Sequence, residues 1–222
     1  MTKLILVRHG QTVWNKMGKY QGQADIELSE VGRKQAAMLA DNFPIEKVDA
    51  IYSSPLVRAK ETAEAIGAAF SLPVEACPEF CEISFGKWEG LTYDEIHARW
   101  PKEHDLLFNR PDLLTCPEGE GFSNVQKRAA GKMEALIKEN PDKTLVIAAH
   151  GGVIRTLLCH ALGMPLKNMW RIRQDNTAVN LVSAYNEGLI VELMNSTVHL
   201  SNSNLDMNVN NWVKRVDKVG KR

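Results

Sequence analysis

Two histidines and two arginines fall where this chain turns from one element to the next. Arg8, His9 and Gly10 follow directly on the apolar run 4–7, and His150, Gly151 and Gly152 follow directly on the run 144–149. Arg58 lies just past a third apolar run, 48–52, beyond Ser53, Ser54 and Pro55. Arginine offers a planar fork of donors that matches phosphate or carboxylate. Histidine serves as nucleophile, base or ligand. Glycine lets the backbone approach a ligand closely, and backbone N–H groups at a helix start attract anions. Singly, each residue has an ordinary reading: a surface arginine for Arg58, a core histidine for His150, a solvated loop acid for Glu82. Together, at three strand ends, the two histidines and two arginines describe a phosphoryl site.

That convergence needs a scaffold, and the hydrophobic pattern provides one. Apolar runs alternate with helical periodicity along most of the chain. A helix is expected over 29–43 with Ser29 as N-cap. Another is expected from Pro55, capped by Ser54, to about Phe70, with Arg58 in its first turn. Residues 74–77 read as a third strand. From 79 to 121 the pattern loosens into what looks like a flap over a site, carrying Glu82, Phe85 and Trp88. Within it Thr92 and Glu95 form a capping box for a short helix that Pro101 should end. Ser123 and Gln126 suggest a second capping box, opening a helix to about Asn140. After His150 a helix should bury Ile154, Leu157, Leu158 and Leu162, and stop at Gly163. Residues 178–184 and 189–193 read as a hairpin. The sum is an α/β fold with a mostly parallel sheet, helices on both faces and an antiparallel element near the end.

Composition narrows the function. The 222 residues carry 27 basic and 27 acidic side chains, which argues against a nucleic-acid partner. No stretch approaches the roughly 18 apolar residues of a membrane span, and the N-terminus lacks a signal peptide's pattern. Four irregularly spaced cysteines read as reduced thiols of a cytoplasmic protein. Cys77 and Cys81 lack a second pair, and His97 and His104 do not make a helical ligand pair, so metal readings are weak. There is no P-loop.

The segment RHGQTVWN at 8–15 resembles the signature of the histidine phosphatase superfamily, the phosphoglycerate-mutase-like enzymes. The likeness continues through Leu28, Ser29, Gly32 and Gln35, through SSPLVRAKETA at 53–63, Glu82, and AAHGGVIR at 148–155. It implies a three-layer α/β fold over residues 1–200, with no metal or organic cofactor. It implies His9 as the phosphorylated nucleophile, with Arg8, Arg58 and His150 forming the phosphate pocket. Glu82 becomes the proton donor, and Asn15, Gln21, Gly22 and Gly151 the supporting contacts.

The chemistry suits those residues. A phosphate monoester is a dianion that repels anionic nucleophiles, whereas a neutral imidazole meets no such repulsion. Cations offset charge on the equatorial oxygens, and they disfavour protonation of His9. The leaving alkoxide needs a proton, which Glu82 is placed to give. The stretch EISFGKWEGLTYDEI from Glu82 is similar to the phosphatase branch of the family. No adjacent arginine pair follows it to grip a phosphoglycerate carboxylate; Arg99 and Arg110 stand alone. The expected function is hydrolysis of a small-molecule phosphate ester. A phosphoglycerate mutase and a non-catalytic phospho-ligand module are the alternatives, and a homodimer is a candidate assembly. The polar, basic tail 201–222 departs from the family pattern; Trp212, Val213, Val216 and Val219 could line one face of a helix.

Overall fold

A computed structural model describes residues 1–201. In chain order the elements are β1 (Thr2–Arg8), α1 (Val13–Met17), α2 (Glu30–Asp41), β2 (Ala50–Ser53), α3 (Val57–Phe70), β3 (Val74–Ala76), α4 (Tyr93–Arg99) and α5 (Pro101–Asn109). Then come α6 (Phe122–Glu139), β4 (Thr144–Ala149), α7 (Gly151–Ala161), β5 (Val179–Tyr185) and β6 (Gly188–Ser196). The six strands form one sheet in the order β3-β2-β4-β1-β5-β6. The β1–β4, β2–β4 and β2–β3 pairs are parallel. The β5–β6 hairpin closes the far side antiparallel.

Strand alternation builds the layers. Ile5 and Val7 of β1, with Val146 and Ala148 of β4, pack against Leu39 of α2 and Ala63 and Ile66 of α3. Leu4, Leu6, Leu145 and Ile147 point to the other face, against Val125, Ala129 and Met133 of α6 and Val153, Ile154 and Leu157 of α7. Both faces of the central strands are therefore buried, as expected of parallel strands. Each large apolar side chain so covered contributes about 1.5–3 kcal/mol.

The parallel register also sets the site. Arg8 pairs with Ala149 and Ser53 with Ala148. His9 N–H donates to Ala149 O at 3.0 Å and Ser54 N–H to Ala148 O at 3.0 Å. The carboxyl ends of β1, β2 and β4 are thus level, and the residues after them share one edge.

Several local expectations change. The helix expected from Pro55 begins at Val57 with Leu56 as N-cap; Ser54 Oγ instead accepts Leu56 N–H across the turn. Pro101 does follow the end of α4, yet it also opens α5, because proline fits the first helical position. Trp100 ends one helix and begins the next. The capping box expected at Ser123 is not formed: α6 starts at Phe122, Ser123 Oγ donates to Asp112 O and Gln126 Nε2 to Thr156 O. Leu162 is 47% exposed rather than buried, since α7 has ended and Gly163 turns the chain at φ +59°. Phe80, Ile83, Trp88, Ile96 and Leu107, from the segment expected to be a loose flap, are buried in the same core as α6 and α7. Among the described residues no helix is long and apolar enough to cross a membrane. The helical face suggested for Trp212 to Val219 lies outside the described residues.

Candidate active site

His9 stands at the end of β1, 3% exposed. Its backbone is fixed on both sides: His9 O accepts Asn176 Nδ2–H at 3.0 Å and Thr177 N–H at 3.3 Å. Gly10 N–H donates to Thr62 Oγ1 of α3 at 3.1 Å. A Cβ at Gly10 would lie 2.6 Å from Gly32 O, so the turn requires glycine there. The His9 ring is oriented by a 2.7 Å bond between Nδ1 and Gly10 O. A carbonyl only accepts, so Nδ1 carries the proton. Burial holds the imidazole well below its usual pKa, and Arg58 and Arg8 push the same way. A neutral ring with Nδ1 protonated leaves Nε2 with an available lone pair.

The cations are held by backbone carbonyls. Arg8 Nη1 donates to Gln174 O at 2.6 Å. Arg58, 1% exposed in the first turn of α3, donates from Nη1 to Ala24 O at 2.8 Å and from Nη2 to Gly22 O at 2.7 Å. Burial lowers both guanidinium pKa values, that of Arg58 to about 10, and both remain charged at neutral pH. Arg8 Nε and Arg58 Nε are buried and hydrogen-bond to no protein group among the described residues. Buried donors without acceptors are costly, and an anion between the two arginines would satisfy them.

His150, the N-cap of α7, is fully buried. Its ring centroid lies 5.2 Å from that of His9. Burial first, then Arg58, holds it well below the usual imidazole pKa. Both of its ring nitrogens are buried and hydrogen-bond to no protein group among the described residues, as with Arg8 Nε and Arg58 Nε.

Glu82 reaches the site from an irregular stretch. Its Oε2 accepts Gly152 N–H, at the start of α7, at 3.1 Å, and its Oε1 accepts Ile83 N–H at 3.1 Å. A carboxylate at a helix N-terminus is favourably placed. Gly152 leaves room for it, since a Cβ there would sit 2.4 Å from Glu82 Oε1.

These groups line one cavity of about 200 Å³. Its wall includes Arg8, His9, Asn15, Gln21, Gly22, Arg58, Glu82, Gly151 and Gly152. Asn15 Oδ1 accepts from Thr12, completing the capping box of α1. Gln21 Oε1 accepts Thr12 Oγ1–H. Gly22, at φ +55°, presents its carbonyl to Arg58.

Sequence reasoning passed over Arg155, Gln174 and Asn176, which also line the cavity. Arg155 is 7% exposed; it donates from Nη1 to Gly151 O and from Nε to Ile172 O, and its guanidinium lies 5.1 Å from the Trp170 ring centre. Burial lowers its pKa to about 9. A signal was present: Arg155 lies four residues after Gly151 in a mostly apolar helix, one turn below the phosphoryl-binding end.

A buried neutral imidazole between two arginines, with a carboxylate at a helix start, defines a phosphoryl-transfer site without a nucleotide loop. The family comparison agrees. Residues 4–197 match the histidine phosphatase superfamily (branch 1), and the chain belongs to that family. It is 34% identical over 200 residues to phosphoserine phosphatase 1 of Hydrogenobacter thermophilus, covering 90% of this chain and 95% of that one. Bacillus stearothermophilus YhfR superposes with a TM-score of 0.86 at 32% identity, covering 90% of this chain and all of the other. A mutant phosphoserine phosphatase from Entamoeba histolytica, in complex with phosphoserine, superposes with a TM-score of 0.81 at 34% identity, with the same coverage.

Proposed function

We propose that this chain hydrolyses small phosphate monoesters in two steps through a phosphohistidine at His9. The observation that carries the reading is the His9 ring, held neutral and bonded through Nδ1 to Gly10 O beside two buried arginines. In the first step Nε2 forms a bond to phosphorus while the ester P–O bond breaks. The departing oxygen takes a proton from Glu82. In the second step the Glu82 carboxylate takes a proton from water, whose oxygen bonds to phosphorus. The P–N bond breaks, and its electron pair returns to Nε2. Arg8 and Arg58 offset the charge of the transferring group through both steps, which is most of what phosphoryl transfer requires. His150, its ring 5.2 Å from that of His9 and both its ring nitrogens buried without a protein partner among the described residues, completes the phosphate pocket with the two arginines. Asn15, Gln21, Gly22 and Gly151 complete the phosphate end of the cavity.

The scheme needs no metal or organic cofactor. Among the described residues no group of three His, Cys, Asp or Glu is arranged to hold a metal ion.

The rest of the wall bears on the substrate. Lys19, Arg155 and Arg173 provide cations, and Phe85, Leu107, Phe122 and Trp170 provide apolar surface. Trp88, fully buried, anchors the segment. Cations beyond the phosphate end suit an ester whose alcohol part carries a carboxylate, and the relatives named for phosphoserine support the same class. A small phosphorylated hydroxy or amino acid is therefore the substrate class expected, with residues 79–121 covering the site within a single catalytic domain spanning 1–200. The four cysteines form no disulfide, which supports a cytoplasmic address. A homodimer is a candidate assembly, for which the edge strand β6 exposes Ile190 and Met194.

A panel of phosphate esters tests the reading. Free phosphate should be released from phosphoserine and from aryl phosphates without any bisphosphate primer. Rapid interconversion of 3- and 2-phosphoglycerate with negligible phosphate release would establish the mutase alternative. Binding of phosphate esters without turnover would establish the binding module.

A further inference from the structure

Glu82 must hold a carboxyl group at one place above the phosphoryl site, yet residues 81–85 form no helix or strand of their own. They lie between two short 3₁₀ turns, Pro78–Phe80 and Gly86–Trp88. Such a stretch has no backbone ladder to fix it, so side chains must satisfy its carbonyls and amides. Gln23 Nε2 donates to Glu82 O at 3.1 Å and Glu89 Oε1 accepts Phe85 N–H at 3.1 Å, and one side chain of α6 ties the stretch to the turn before it. Arg128 donates from Nη1 to Glu79 O at 2.5 Å and from Nη2 to Glu82 O at 3.2 Å. Its other edge is paired with Glu120: Nε to Oε1 at 3.0 Å and Nη2 to Oε2 at 3.0 Å. Glu120 Oε2 also accepts Ser84 N–H at 3.0 Å, and Glu120 N–H donates to Ser84 O at 2.8 Å. Arg128 and Glu120 thus bracket Glu82 on both sides along the chain.

We propose that Arg128, with Glu120, is a positioning pair that holds Glu82 in register for proton transfer, and so sets how well the enzyme cleaves esters with poor leaving groups. This rests on the acid role of Glu82 proposed above. The pair belongs to the site's support, not its lining: neither residue is part of the cavity wall. Their side chains are 22% and 25% exposed. That degree of burial is unusual for an ion pair meant only for the surface, and such exposed pairs contribute little to stability in any case. The four donor contacts of Arg128 require its rigid fork, because a lysine ammonium cannot span Glu79 O, Glu82 O and a bidentate carboxylate together. Near-attack geometry is sensitive to displacements of about 1 Å, which cost on the order of 10² in rate.

The test compares Arg128→Lys and Glu120→Gln with the native enzyme and with Glu82→Gln. For each, kcat/KM is measured on alkyl phosphates such as phosphoserine and on 4-nitrophenyl phosphate, whose phenolate leaves without a proton. The kcat/KM ratio reports transfer to His9 and not the later hydrolysis. Arg128→Lys should lose about tenfold to a hundredfold on alkyl esters and less than about twofold on the aryl ester. It should also steepen the dependence of rate on leaving-group pKa, as Glu82→Gln should. A purely structural role predicts equal fractional losses on both ester types. Equal losses, or no loss, in Arg128→Lys would overturn the proposal. Retained aryl-phosphate turnover certifies a folded site in each variant, and a variant that loses both activities counts against the positioning role. If native enzyme hydrolyses neither ester, or if Glu82→Gln shows no leaving-group selectivity, the acid assignment fails first.

Discussion

Replacing Gly152 with alanine should separate the position of the acid from the stability of the fold. Gly152 lies in the first turn of α7 with helical backbone, so alanine is conformationally acceptable and favours the helix by up to about 1 kcal/mol. The added Cβ would stand 2.4 Å from Glu82 Oε1 and 3.2 Å from Phe122 Cε1. An ordinary carbon–oxygen contact needs roughly 3.4 Å or more, so the carboxylate must retreat by about 1 Å. It would also give up the bond from Gly152 N–H to Oε2. The group that yields is the far end of a flexible side chain, so folding is hardly affected, whereas the acid leaves its place. A 1 Å displacement costs on the order of 10². The expected outcome is a loss of about 10² in kcat/KM on alkyl phosphates, a much smaller loss on 4-nitrophenyl phosphate, and an unchanged or slightly raised unfolding temperature. Undiminished alkyl-phosphate turnover in a well-folded Gly152→Ala enzyme would refute the reasoning, because Glu82 would then not act from the start of α7.

Other perturbations should give different patterns. Arg58→Lys keeps a cation but loses the fork held by Ala24 O and Gly22 O; it should lower kcat/KM by about 10²–10³ on alkyl and aryl esters alike, because the phosphoryl group is common to both. Stability should fall as pH drops below about 6.5. His9 and His150 are buried with depressed pKa values, so the unfolded state binds their protons first. Each histidine then removes about 1.4 kcal/mol per pH unit, from the unfolded pKa downward until its folded value is reached. Urea titrations at pH 7.5 and 5.5 read this, and a stability independent of pH across that interval would contradict the burial. Chelation of divalent ions should leave activity unchanged, while vanadate, which adopts five-coordinate geometry, should inhibit.

Much of this site was legible because parallel β-strands bury both faces. The runs 4–7 and 144–149 are continuous apolar stretches, and the charged and imidazole residues mark where each strand ends. Once those ends are placed on one edge, Arg8, His9, Arg58 and His150 must converge, and they do. What stayed hidden depends on long-range packing. The start of α3 at Val57 is not legible in the sequence because Ser54 and Pro55 form a turn that takes over the expected cap. Helix α5 is hidden because Pro101 reads as a stop as readily as a start. Arg155 and Arg128 look like routine helix cations. Their partners, Gly151 O and Ile172 O for one, Glu79 O and Glu82 O for the other, lie on chain segments that only the tertiary fold brings near.

The central claim is covalent chemistry at one nitrogen, and trapping tests it most directly. Enzyme mixed with a ³²P-labelled phosphate ester and quenched in alkali within milliseconds should carry label on the peptide containing His9. That label should survive alkali, be lost in acid, and be absent from a folded His9→Ala variant. An acid-stable label, a label on another residue, or undiminished turnover by His9→Ala would contradict the account.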